Sequence, residues 1–173
     1  MERSLAPGEW AVLAVVSEES THGFAVAKVL GPNGEIGRVW SLSRPLVYRA
    51  LDSLVEEGLV EKGEVEASAH GPAKTSVRAT ANGRKLVRAW LNQPVDHVRD
   101  VRSLLMLKLL FLDRSDLDPA PLLDAQREQL LPVEGALEER AKQVDGFEAT
   151  LVQWRLESTR AVLRFLAAVP SRR

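Results

Sequence analysis

Arg44, Tyr48 and Arg49 fall within six consecutive positions, and all three are residue types that hold phosphate or read a base edge. An arginine offers a planar fork of donors to a phosphate or to the O6 and N7 of guanine, and a tyrosine hydroxyl reaches a backbone phosphate. On a helix they share one face with Asp52, Ser53 and Glu56. The order of the charges gives the face a direction. Both arginines lie in its first half, whereas Asp52, Glu56 and Glu57 lie in its second. A helix that enters a DNA groove by its N-terminal end favours this order, because its dipole and free N–H groups attract phosphate there while the acids stay clear. A surface helix with solvated charges is the plain alternative, and the segments beyond the helix weigh against it.

The positioning element is short and well delimited. Pro45 fits a first helical turn, where a missing N–H costs nothing, and Ser43 or Arg44 stands at the cap. Gly58 can take the left-handed conformation that ends a helix. Val47, Leu51, Leu54 and Val55 recur at three- and four-residue steps and form the stripe that faces a core. Ser43 and Pro45, at the end presented to a groove, join Arg44, Tyr48 and Arg49 as candidate DNA contacts. Beyond Gly58 the pattern changes to period two, in Glu64-Val65-Glu66-Ala67 and again in Ser76-Val77-Arg78-Ala79-Thr80, as in half-buried strands. Their connection, Ser68 to Thr75, contains no acid. A hairpin of this kind can lie along a DNA backbone, with His70, Lys74 and Arg78 as contacts, although an ordinary hairpin tip reads the same way.

The stretch L-S-R-P-L-V-Y-R-A-L-D-S-L-V-E-E-G-L-V resembles the recognition-helix signature of PadR-family transcriptional regulators. Two further pieces resemble that family in the expected order: H-G-F-A-V-A-K-V-L at 22–30 and A-T-A-N-G-R-K-L-V-R-A-W-L at 79–91. The resemblance implies a winged helix-turn-helix with a two-stranded wing, binding to double-stranded DNA, a homodimer, and a possible small-molecule effector held between subunits. No residue set in this chain is assignable to an effector. Val77 stands where the family usually has a tyrosine in the second wing strand.

The remaining elements fit that frame. Pro7-Gly8-Glu9 opens a first helix whose apolar run, Trp10 to Val16, is dense enough to allow a strand on periodicity alone. Ser20 or Thr21 caps a second helix over 22–30, with Phe24, Val26, Val29 and Leu30 directed at the core. Gly31-Pro32-Asn33-Gly34 is a loop, and Arg38-Val39-Trp40 reads as a short strand. Thr80 caps a helix with Leu86, Val87, Trp90 and Leu91 on one face, closed at Gln93-Pro94, where a domain boundary is expected. The first domain is then 1–94 and the second 95–173.

In the second, Asp100 to Leu112 is almost wholly apolar and therefore buried. Leu123, Leu130, Leu137, Val144 and Leu151 lie seven apart, and Trp154 follows Leu151 by three, a spacing that packs helix on helix. These six residues are the candidate dimerisation set. Pro132 is expected to kink the segment and Asp145-Gly146 to break it, giving an antiparallel pair with the last helix ending near Val169. The expected fold is thus mainly α (α+β), with an N-terminal winged helix-turn-helix and a C-terminal long-helix dimerisation region.

Composition bounds the function. A chain of 173 residues, 45% hydrophobic and 27% charged, is an ordinary soluble protein of one or two small domains. With no cysteine there is no disulfide framework and no thiolate chemistry. The N-terminal residues lack a secretory pattern and no apolar run is long enough for a bilayer, so a cytoplasmic protein without a membrane partner is expected. His22, His70 and His97 share no metal-ligand spacing, and no nucleotide loop or nucleophile elbow occurs, so no catalytic residue, metal or cofactor is assigned.

The net charge of −1 is low for a nucleic-acid binder, but from Arg38 to Arg88 nine Lys/Arg stand against six Asp/Glu. The expected function is a dimeric, sequence-specific DNA-binding regulator, in the form of a repressor at an inverted-repeat operator. A winged-helix adaptor that binds protein instead of DNA is the competing class, and an enzyme the third. A gel shift on the protein's own promoter DNA against random DNA separates the first two.

Overall fold

The computed structural model describes residues 5–66 and 74–170. The chain forms two compact units. One runs to Leu91 and takes in Met106–Phe111, and the other comprises Asn92–Leu105 and the chain from Leu112 onward.

The first unit is built around α1 (Pro7–Glu18), in which every residue from Ala11 to Val16 is buried. A helix apolar on all sides must be covered on all sides, and here α3 (Arg44–Glu56), α4 (Ala81–Leu91) and the sheet do so. The Pro-Gly-Glu opening decides helix over strand: the Glu9 carboxylate accepts a hydrogen bond from the Ala6 N–H at 2.8 Å, satisfying a donor at the helix entry. Trp10 of α1 stacks on Trp90 of α4 (Ala81–Leu91), with ring centroids 5.0 Å apart and planes 7° from parallel.

Three strands form one antiparallel sheet in the order β1 (Thr21–His22), β3 (Lys74–Ala79), β2 (Val60–Glu66). The expected two-stranded wing is therefore extended by a third strand. Thr21 and His22 are extended on the way into α2 (Gly23–Val29) and pair with Val77 and Ser76. His22, and not Ser20 or Thr21, caps α2, its Nδ1 accepting from the Ala25 N–H at 3.1 Å. The strand expected at Arg38–Trp40 is instead a turn, in which the Val39 and Trp40 N–H groups both donate to the Ile36 carbonyl. This segment is tied back to α2 through Leu42 N–H to the Leu30 carbonyl at 2.8 Å.

Helix α3 spans Arg44–Glu56. Gly58 ends it at φ 67°, where a side chain would be strained, and the Leu59 N–H then closes onto the Leu54 carbonyl. Thr80 links this end to the next helix: its hydroxyl donates to the Gly58 carbonyl at 2.9 Å and accepts from the Gly83 N–H at 3.1 Å.

In the second unit, a 3-10 turn (Val98–Asp100) and a π-helical turn (Val101–Leu105) precede α5 (Met106–Arg114), whose residues Met106–Phe111 belong to the first unit. Then come α6 (Ala120–Ala141), which contains Pro132, and α7 (Gly146–Ala168), packed as an antiparallel pair. Val152, Leu156, Thr159, Val162 and Leu166 form the buried stripe of α7. Arg160 reaches across from α7 to Glu134 and Glu138 of α6. Gln126 of α6, fully buried, pairs twice with the Val95 backbone, accepting at 2.7 Å and donating at 3.0 Å.

Candidate nucleic-acid interface

The amphipathic pattern of α3 sorts its residues cleanly. Val47, Ala50, Leu51 and Leu54 are buried, Val55 is half-buried, and Ser43, Arg44, Pro45, Leu46, Tyr48, Arg49, Asp52 and Glu56 are exposed. Ser43 occupies the N-cap without a side-chain cap bond, and Pro45 sits in the first turn, where its missing N–H has no helical partner to lose. Ser53 leaves the exposed face: its hydroxyl donates to Glu9 Oε1 at 2.9 Å, fastening the second half of α3 to the start of α1. The first half, with both arginines and the tyrosine, is left clear.

Residues outside α3 shape that clear end. Phe24, expected in the core, is 53% exposed, at the mouth of an open hollow between α2, α3 and the sheet. The Arg44 guanidinium carbon lies 5.5 Å from the Phe24 ring centroid and 5.7 Å from that of Tyr48, within cation–π range of both. Tyr48 lies against Gly23 so closely that a Cβ there would come within 2.8 Å of its Cε1. Only a glycine leaves the ring where it is. Beneath these side chains is an open hollow of about 520 Å³. Leu51 and Val77 line it, Phe24, Arg44 and Tyr48 border it, and the sheet closes one side.

The wing contributes fewer unengaged charges than its sequence suggests. Arg78 stands opposite Glu61 in the β2–β3 register and donates to its carboxylate at 2.8 Å. Lys62 is paired with Asp52 of α3 at 3.0 Å. Both pairs are well exposed, so each adds at most about 1 kcal/mol to stability, but the Lys62–Asp52 pair fixes two charges in the wall of the hollow. Lys74 opens β3 opposite Glu66. His70 lies outside the described residues. Arg44 and Arg49 make no ion pair among the described residues.

Gly23, Phe24 and Lys62 are the members of this surface that sequence reasoning did not single out. Among the described residues no group of His, Asp or Glu is arranged to hold a metal ion, and no helix is long and apolar enough to cross a membrane.

The six heptad residues are spread over different environments. Leu123 and Leu130 are buried within the chain's own second unit, Leu137 and Val144 are half-buried, and Leu151 and Trp154 are 37% and 71% exposed. Phe147, one turn before Leu151, is 82% exposed. Phe147, Leu151 and Trp154 thus form an uncovered apolar stripe on α7 at helical spacing.

The solved structures similar to this chain include Bacillus subtilis PadR in complex with operator DNA, 18% identical, with a TM-score of 0.48, covering 92% of this chain and 96% of that one. Streptococcus mutans smu.1604c is 18% identical at a TM-score of 0.46, over 92% and 96%. Bacillus subtilis PadR in complex with p-coumaric acid is 17% identical at 0.43, over 97% and 96%. No curated protein sequence matches the chain. The model of the transcriptional regulator PadR-like family matches residues 12–89, a span that runs from α1 through the recognition helix and the wing into α4. Over that span the chain carries a domain that matches the PadR-like transcriptional regulator family.

Proposed function

We propose that the chain is a homodimeric, sequence-specific DNA-binding regulator that acts in the cytoplasm as a repressor at an inverted-repeat operator. The observation that carries this reading is the asymmetry of α3: Arg44, Tyr48 and Arg49 are exposed on its first half, while its acids lie on the second. In this reading α3 enters the major groove by its N-terminal end. Arg49 contacts a base edge, Tyr48 and Arg44 contact backbone phosphates, and Ser43 and Pro45 fix the approach of the helix start. His70, Lys74 and Arg78 of the wing follow the backbone alongside.

Residues 1–94 form the DNA-binding domain in this proposal and residues 95–173 the dimerisation domain. The exposed stripe Phe147, Leu151 and Trp154 supports an interface on α7, to which Leu137 and Val144 contribute. Leu123 and Leu130 support it from beneath, by packing the helices that carry it. An effector bound by the dimer acts by favouring one separation of the two recognition helices.

A two-fold dimer demands half-sites about one helical turn, or a whole multiple, apart. The test is a footprint of the full-length protein on its own promoter, repeated with half a turn inserted between the half-sites. Protection of an inverted repeat that is lost on insertion is the expected result. Protection of a single undivided site, or indifference to the insertion, refutes the two-headed mechanism.

A further inference from the structure

We infer that Phe24 is a positioning residue for DNA binding: with Tyr48 it brackets the Arg44 guanidinium and holds it at the rim of the hollow to meet a DNA phosphate. The inference rests on the DNA-binding reading above and adds a residue from a different helix to it. Arg44 is exposed at the first position of α3, where a long side chain would otherwise sample many rotamers and lose that freedom on binding. Two aromatic faces, at 5.5 Å and 5.7 Å, restrict it beforehand.

The ring that does this is itself held. Phe24 lies at the start of α2 beside His22, with centroids 6.4 Å apart, and the His22 imidazole is fixed by accepting the Ala25 N–H. On the other side Tyr48 rests on Gly23. The nearest acid of α3 along the same ridge, Asp52, is engaged by Lys62, so it does not draw the guanidinium away. A phosphate entering the rim meets an arginine already aimed, beside a hollow whose one acid among the described residues, Asp52, is neutralised by Lys62. Since Phe24 is more than half exposed, truncating it removes little from the core.

The experiment measures binding of the full-length protein to a random-sequence duplex and to its own promoter duplex, by fluorescence anisotropy over a range of salt concentrations. Phe24→Leu should weaken binding about threefold to tenfold on both duplexes alike, as expected for a phosphate contact supported by an aromatic face. Its slope of log affinity against log salt should fall toward that of Arg44→Ala, which loses roughly one unit per head. Phe24→Tyr should bind as the wild type does, and Phe24→Leu should add nothing in the Arg44→Ala background.

Additive losses in the double variant, or unchanged binding by Phe24→Leu, overturn the inference while leaving the DNA reading intact. Absence of DNA binding by the wild-type chain overturns both. Should Phe24→Leu fail to fold, Phe24→Met carries the same comparisons.

Discussion

Replacing Gly23 by alanine should separate folding from DNA binding, because the atoms nearest the added methyl all belong to the Tyr48 side chain. An ideal Cβ at position 23 lies 2.8 Å from Tyr48 Cε1, 3.1 Å from Cζ and 3.3 Å from the hydroxyl oxygen. Carbon atoms in ordinary contact sit at about 3.5–4.0 Å, so the ring must withdraw by roughly 0.7 Å or more. Tyr48 is 40% exposed and can swing outward without displacing the core. Gly23 is not in the left-handed region, so the backbone accepts alanine, whose better helix propensity gains about 0.4–1 kcal/mol. Stability should therefore change by less than about 1 kcal/mol. Binding should suffer more. A hydrogen bond to a charged group contributes about 1.5–3 kcal/mol, so losing the Tyr48 phosphate contact should weaken binding by about tenfold to a hundredfold. Thermal unfolding and anisotropy on promoter DNA read the two effects, and Tyr48→Phe gives the reference loss. Wild-type affinity in Gly23→Ala, or a loss beyond that of Tyr48→Phe in the double variant, would refute the placement of Tyr48 on the backbone.

Arg49→Ala should cost about 1–3 kcal/mol on the operator and far less on random duplex, since a base contact discriminates where a phosphate contact does not; equal losses on both would reassign Arg49 to the backbone. Glu61→Gln releases Arg78 from its partner on the wing, so affinity and the salt slope should both rise, the slope by about 0.9 per head; no change would place Arg78 away from the duplex. Trp154→Asp places a charge in the exposed stripe of α7, and light scattering should show the full chain shifting toward monomer with its helix content retained. A dimer that survives Trp154→Asp together with Leu137→Asp has its interface elsewhere.

The recognition helix was readable in the sequence because burial alone decides its pattern: Val47, Leu51 and Leu54 repeat at helical intervals, and Pro45 and Gly58 bound them by backbone chemistry that acts locally. Other features depend on partners distant in the chain. The two residues of β1 are too few for any period, and they are a strand only because β3 passes beside them. Phe24 has the spacing of a core residue, yet it opens onto the hollow it shares with Arg44 and Tyr48 of α3. The pairing of Arg78 with Glu61 follows from a hairpin register that the sequence does not specify. The seven-residue interval running from Leu137 through Val144 to Leu151 crosses the turn between α6 and α7, so it does not mark one continuous face. The phase of α7 restarts after that turn, and its buried stripe begins at Val152.

These placements also bear on the proposal that a chain with a net charge of −1 holds a polyanion. Between Arg38 and Arg88 the surplus of base over acid is small, and part of it is committed, since Lys62 and Arg78 are each tied to a carboxylate. The described cations left open on the recognition helix are Arg44 and Arg49. Each phosphate neutralised steepens the salt dependence by about 0.9, so one head with a few contacts gains little from counterion release. In the proposed binding mode, affinity for arbitrary DNA is then low, and binding would depend on side chains held in place beforehand, as the Phe24–Arg44–Tyr48 cluster and the Glu9–Ser53 link would hold them. Weak single heads also make the pairing of heads decisive. When two are joined, the second binds at the high effective concentration set by the first, and it does so only where the half-site spacing matches. In the proposed two-headed assembly, the thin positive surplus and the pairing of heads would be parts of one device: the low charge would suppress binding to random sequence, and the dimer would restore affinity at the one arrangement of half-sites that both helices reach.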